Sequence, residues 1–127
     1  PAVRVAETLD GLVEGYGRKL EPEIDKRIYL ASSVTLIEVL RDRGGAAEHV
    51  MMCGHNPGME DLVLDLVPDN GAGGPREDVE EKFPTASVAE IALDIDDWAD
   101  LDNRKGRLKR FTRPRDLAPD LGPQYLR

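Results

Sequence analysis

Nine residues in the middle of the chain, Val50-Met-Met-Cys-Gly-His-Asn-Pro-Gly58, restrict the possible folds more than any other stretch. A continuous apolar run bounded by turn formers predicts a short strand over Val50–Cys53, buried on both faces. Gly54–Pro57 then turns the chain. Met59, Leu62, Val63 and Leu66 recur at helical spacing until Pro68 stops them. A strand covered on both faces needs strand neighbours and a layer on each side. The expectation is therefore an α/β chain with a mostly parallel sheet between helical layers.

The flanking segments fit that alternation. Val5, Leu9, Leu12, Val13 and Tyr16 mark a first helix, with Gly17 placed for a left-handed cap. Leu20 to Lys26 contains Pro22 and reads as a loop, and Ile28-Tyr29-Leu30 as a short strand or the entry to the next helix. Ser32 or Ser33 can cap a helix with Leu36, Ile37 and Leu40 on its apolar face, ended by Gly44-Gly45. Residues 69–82 are acidic and Gly-rich and predict a flexible loop. Ala86 to Ile95 predicts a strand with Ala89, Ile91, Leu93 and Ile95 on one side. Asp96 to Arg107 predicts a polar turn carrying Trp98, Leu108 to Arg113 a further strand, and the sequence from Pro114 an irregular tail. With 127 residues and no repeat, a single domain over 1–127 is expected.

Composition excludes several function classes. A formal charge of −8 argues against a nucleic-acid or anionic-membrane surface, both of which need a basic footprint. It leaves room for a small anionic substrate, because the local field decides binding in a pocket. No apolar run approaches the length of a membrane-spanning helix, and Pro1 leads straight into an amphipathic pattern without a signal-peptide head. Cys53 is the single cysteine, so a reducing cytoplasm is the expected compartment.

His55 is the leading candidate for chemistry. In parallel α/β sheets the ligand crevice lies beyond the carboxyl ends of the strands, where His55 would stand. Asn56 is a favoured cap residue and Pro57 a favoured first helical residue, so free N–H groups and the helix dipole converge beside the imidazole. The plainer reading is that His55 only hydrogen-bonds its loop. Arg4, one turn before Thr8, could present two parallel donors to a phosphate; taken alone it reads as a solvated arginine. His49 lies at the strand's start and reads as surface or structural. Cys53 and His55 are two apart, which raises a nucleophilic Cys/His pair, but a cysteine ending an apolar strand is usually a small core residue. No ligand spacing for a metal is present, and no cofactor is expected.

Three stretches together resemble the histidine phosphatase superfamily, most of all its SixA-type phosphohistidine phosphatases. Pro1-Ala-Val-Arg4-Val-Ala-Glu-Thr8-Leu9 is similar to the latter part of that family's S-P-A-x-R-A-x-x-T-A segment, and Cys53-Gly-His55-Asn-Pro-Gly58 to its V-G-H-N-P-G segment. Lys82-Phe-Pro-Thr85-Ala86, Trp98 and Phe111-Thr-Arg-Pro114 are similar to its C-terminal part. The resemblance implies a three-layer α/β/α sandwich of the phosphoglycerate mutase type and hydrolysis through a covalent phosphohistidine. It implies a phosphohistidine-containing protein, or a small phosphomonoester, as substrate. Arg4, His55 and Asn56 would hold the phosphoryl group, and Thr85 would support the pocket. The family's nucleophile lies in an R-H-G motif at the end of a first strand. Neither His49 nor His55 stands in such a motif, so the first strand, first helix and nucleophile are expected upstream of residue 1. The alternative is a non-catalytic phosphate- or phosphoprotein-binding module.

Overall fold

The computed structural model describes residues 3–18, 20–69, 74–118 and 120. Among the described residues, five helices run over α1 (Val3–Tyr16), α2 (Ser33–Arg43), α3 (Gly58–Leu66), α4 (Pro75–Glu81) and α5 (Pro114–Leu117), with short 3₁₀ turns at Lys26–Ile28 and Trp98–Asp100. The sheet of the described residues has two antiparallel strands, β1 (Val88–Leu93) and β2 (Gly106–Thr112). This overturns the expected mostly parallel three-layer α/β/α sandwich; the chain is a small mixed α/β protein. Val50–Cys53 forms no strand, and Met51 is 66% exposed. Parallel strands persist only where both faces are covered, and this run is not. Two further segments differ from expectation. Helix α4 occupies part of the 69–82 stretch read as a loop, and α5 opens the tail read as irregular. Residues 70–73, and all of the tail beyond Asp120, lie outside the described residues.

The chain divides into two compact units, Pro1–Leu62 with Ile95–Leu101 and Val63–Asp94 with Asp102–Arg127. In the first, α1 follows the predicted periodicity and ends where Gly17, at φ +77, donates its N–H to the Val13 carbonyl at 3.0 Å. None of its residues is buried. Helix α2 is the core element, burying Leu36, Ile37, Val39 and Leu40. Ser32 caps it, its hydroxyl accepting from the Thr35 N–H. At the other end Gly44 lies flat against the Trp98 ring, leaving no room for a Cβ. Trp98 donates its indole N–H to the Ala47 carbonyl at 2.8 Å and its backbone N–H to Gly45 at 2.9 Å. Arg41 reaches the Leu101 carbonyl at 2.7 Å, beside the fully buried Leu101 side chain.

A buried carboxylate ties the loop before α2 to its last turn. Asp25 is 8% exposed. It accepts from the Arg27 backbone N–H at 2.9 Å and side chain at 2.8 Å, and from Arg43 Nε at 3.2 Å. Arg27 also grips Asp42 at 2.6 Å. Donation first from the Arg27 side chain and then from its backbone N–H holds the Asp25 carboxyl well below the usual carboxylate range.

In the second unit the C-terminal carbonyls of α3 are capped from outside the helix. Arg76 donates to Val67 at 2.7 Å and to Leu64 at 3.3 Å, and the Arg104 N–H donates to Asp65 at 2.8 Å. β1 pairs with β2 from Val88↔Thr112 to Leu93↔Gly106. The predicted alternation holds there, with Ala89, Ile91 and Leu93 on one face. Phe83 stacks on Phe111 on that same face, centroids 5.3 Å apart, and Val79 of α4 is fully buried.

Because the folded-state value of Asp25 lies below its unfolded value, its bonds stabilise the fold above the ordinary carboxylate range of about 4, and that contribution is lost as pH falls below it. Asp25→Asn is expected to lower the urea midpoint at pH 7 and to flatten the fall in stability between about pH 4 and pH 2. An acid limb of unchanged steepness in the variant would remove Asp25 from that role.

Candidate functional site

The Gly54–Gly58 turn is built by close approach. A Cβ on Gly58 would collide with the Ala31 carbonyl oxygen, and one on Gly54 would lie 3.2 Å from Ile28 Cγ2 and 3.0 Å from Met59 Sδ. Both glycines therefore press the turn against residues 28–31. The Asn56–Pro57 peptide is cis. The His55 carbonyl accepts the Met59 N–H at 3.0 Å and the Asn56 side-chain oxygen accepts the Glu60 N–H at 3.3 Å, so the first free donors of α3 are partly used.

His55 is half-buried, and its Nε2 is sealed from solvent with no hydrogen-bond partner among the described residues. Its ring meets the edge of Tyr29 at 5.6 Å and 88°. An unpaired buried nitrogen costs about 1–3 kcal/mol, which a ligand oxygen at Nε2 would recover. Against an anion stand Glu60 and Asp61, two carboxylates in the first turn of α3 that already complement the helix dipole.

The expected site residues are distributed as follows. His55 and Asn56 share the turn. Arg4 lies in the first turn of α1, exposed, its carbonyl accepting from the Thr8 hydroxyl at 2.9 Å. Its guanidinium makes no hydrogen bond or ion pair with a described residue, and none joins it to His55. Arg27 and Arg43 are committed to carboxylates and Arg41 to a carbonyl, so in the first unit Arg4 and Arg18 keep unpaired guanidinium groups among the described residues. Thr85 stands exposed in the turn before β1, where the Ser87 N–H reaches the Pro84 carbonyl at 3.2 Å. His49 is exposed. Tyr29 escaped the sequence reading, because a residue between a loop and a helix start carries no pattern that points to a ring contact 26 positions away.

Comparison with profiles of protein families, with curated proteins and with solved structures finds no match. The likeness to histidine phosphatases therefore rests on the segments quoted above. Among the described residues no group of three or more His, Cys, Asp or Glu side chains is placed to hold a metal ion, and no helix is long and apolar enough to cross a membrane.

Cys53 is half-buried, and burial pushes its thiol pKa up. Less thiolate at neutral pH makes it a poor nucleophile. Alkylation by iodoacetamide at pH 8 is expected to run several-fold slower in the folded chain than in the same chain unfolded in guanidinium; equal rates would reopen the Cys/His pair. Gly58→Ala is expected to destabilise by about 1–3 kcal/mol, the usual range for overpacking. The collision with a backbone oxygen outweighs the roughly 1 kcal/mol that alanine gains over glycine in a helix interior. An unchanged thermal midpoint would show that the turn is not held by this approach.

Proposed function

We propose that this chain carries the phosphoryl-binding part of a cytoplasmic phosphatase. The enzyme would hydrolyse phosphohistidine on a phosphoprotein, or a related phosphomonoester, through a covalent phosphohistidine. The observation that supports this best is the sealed, unpartnered Nε2 of His55 at the turn that opens α3. With Nε2 protonated, the ring is a fixed donor waiting for an acceptor, and an equatorial phosphoryl oxygen is an acceptor of suitable size.

In this reading His55 holds one oxygen, and Arg4, whose fork is unpaired, clamps two more. Asn56 shapes the turn through its bond to the Glu60 N–H. The attacking imidazole is neither His49 nor His55; the resemblance assigns it to an R-H-G motif, which these 127 residues do not contain. As its nitrogen bonds to phosphorus in line, the bond to the substrate's leaving nitrogen or oxygen breaks. Water then attacks the phosphohistidine, releasing inorganic phosphate and restoring the imidazole. A departing imidazole needs little help from an acid, so no carboxylate is assigned that role.

A second reading, a phosphate- or phosphoprotein-binding module without catalysis, is favoured by the absence of R-H-G from these 127 residues. Titrating the 127-residue chain with inorganic phosphate while following the His55 ring by ¹H–¹⁵N NMR tests the shared site. A shift at Nε2 that saturates and is lost in Arg4→Ala is expected. Phosphoramidate turnover by a chain extended upstream then divides the two readings. Acid-labile phosphoenzyme that His55→Ala slows by about 10²–10³-fold supports the enzyme, and phosphate binding without turnover supports the module. An Nε2 resonance indifferent to phosphate would sink both.

A further inference from the structure

The outer face of the two-stranded sheet carries positive charge that an overall acidic protein has no structural need to collect. Seven of the twelve residues 104–115 are Lys or Arg, with no Asp or Glu among them, in a chain of net charge −8. The pairing register sets two of them, Arg107 and Arg110, on one face. Glu90 faces Arg110 and Ile91 faces Leu108, so Lys109 is an extra residue with no partner in β1. This bulge resets the alternation of β2. Without it, Arg107 and Arg110, three positions apart, would point to opposite faces. With it, Arg107, Arg110 and Thr112 lie on one face with their partners Ala92, Glu90 and Val88, while Leu108 and Phe111 turn inward.

That face is open and its charge is poorly balanced. Arg107, Lys109 and Arg110 are exposed, Arg110 by 75%. Among the described residues, their ion pairs are with Glu90 alone, at 3.9 Å from Arg110 and 4.0 Å from Lys109, long contacts between exposed groups that contribute little. Arg107 has no ion pair among the described residues.

We propose that this face docks an acidic polypeptide segment in extended conformation. The small and β-branched neighbours Val88, Ala92 and Thr112 leave a flat floor along which a strand-like chain can run. Among the described residues no aromatic side chain of the two strands lies on this face, so nucleic-acid bases would find nothing there to stack on. A long polyanion would also meet the repulsion of the whole molecule. A short peptide feels mainly the local cations, because charges beyond about 8 Å are screened at physiological salt. The surface is independent of the His55 site and stands or falls without it.

The test is fluorescence anisotropy of a labelled ten-residue oligoglutamate peptide against the 127-residue chain, starting at physiological salt, with labelled single-stranded oligo-dT as the competing probe. The peptide is expected to bind, and to bind more weakly as salt rises. Arg107→Gln/Arg110→Gln should weaken it by about five- to tenfold, and Glu90→Gln should tighten it by about two- to threefold, the effects of exposed ion pairs. All three side chains are exposed, and an unchanged far-UV circular dichroism spectrum confirms that the variants fold. The proposal is overturned by no peptide binding, by equal affinity in the double variant, or by oligo-dT binding more tightly than the peptide.

Discussion

The close approach of Gly58 to the Ala31 carbonyl governs the candidate site. Helix α3 can start where it does only because its first residue has no side chain, and Gly54 lets Ile28 close the turn from the other side. The segment 28–31 is itself held. The Ile28 N–H donates to the Asp25 carbonyl at 3.1 Å, and the Asp25 side chain is gripped by Arg27 and Arg43. A line of constraint thus runs from the end of α2 through a buried carboxylate to the turn bearing His55. The imidazole lies T-shaped against the Tyr29 ring, and its Nε2 is buried without a hydrogen-bond partner among the described residues.

What the sequence made legible was local. Helices α1, α2 and α3 follow from apolar spacing, and their ends from Gly17, Ser32 and Gly44-Gly45, residues whose effect is exerted within a turn of where they stand. The inward face of β1 was legible for the same reason. The sheet was not, because a strand exists only by virtue of its partner. Val50–Cys53 has the composition of a buried parallel strand, but no neighbouring strand covers it, and its side chains stay partly in solvent. The extra residue at Lys109 is likewise invisible before the pairing is known. Helix α4 is a different failure. Pro75 at its start and Glu77 and Asp78 in its first turn are good helix-opening signals, outweighed in the reading by the glycines before them.

At the turn, the motif pointed to His55 for a reason the fold does not supply. The strand-end crevice that motivated it does not exist here, and the dipole of α3 is shared with Glu60 and Asp61. Each dipole contact of that kind is worth about 0.3–1 kcal/mol at an exposed helix end. A sealed polar nitrogen without a partner costs about 1–3 kcal/mol. The larger quantity belongs to the imidazole, so the site's preference for a ligand rests on one directed donor more than on a field.

That distinction bears on which ligands could sit there. A field attracts any anion and fades with salt, whereas a single buried ring nitrogen selects for a ligand atom that can pair with it. The two carboxylates of α3 strengthen the selection by penalising anions that bring charge without making that bond. A tetrahedral phosphoryl group that placed one oxygen on Nε2 would keep others for a cation, the role proposed above for Arg4. A carboxylate that placed one oxygen on Nε2 would keep one other oxygen for such a cation, against two on a phosphoryl group. In the proposed reading, this difference in remaining acceptors is what would favour a phosphoryl group over a carboxylate.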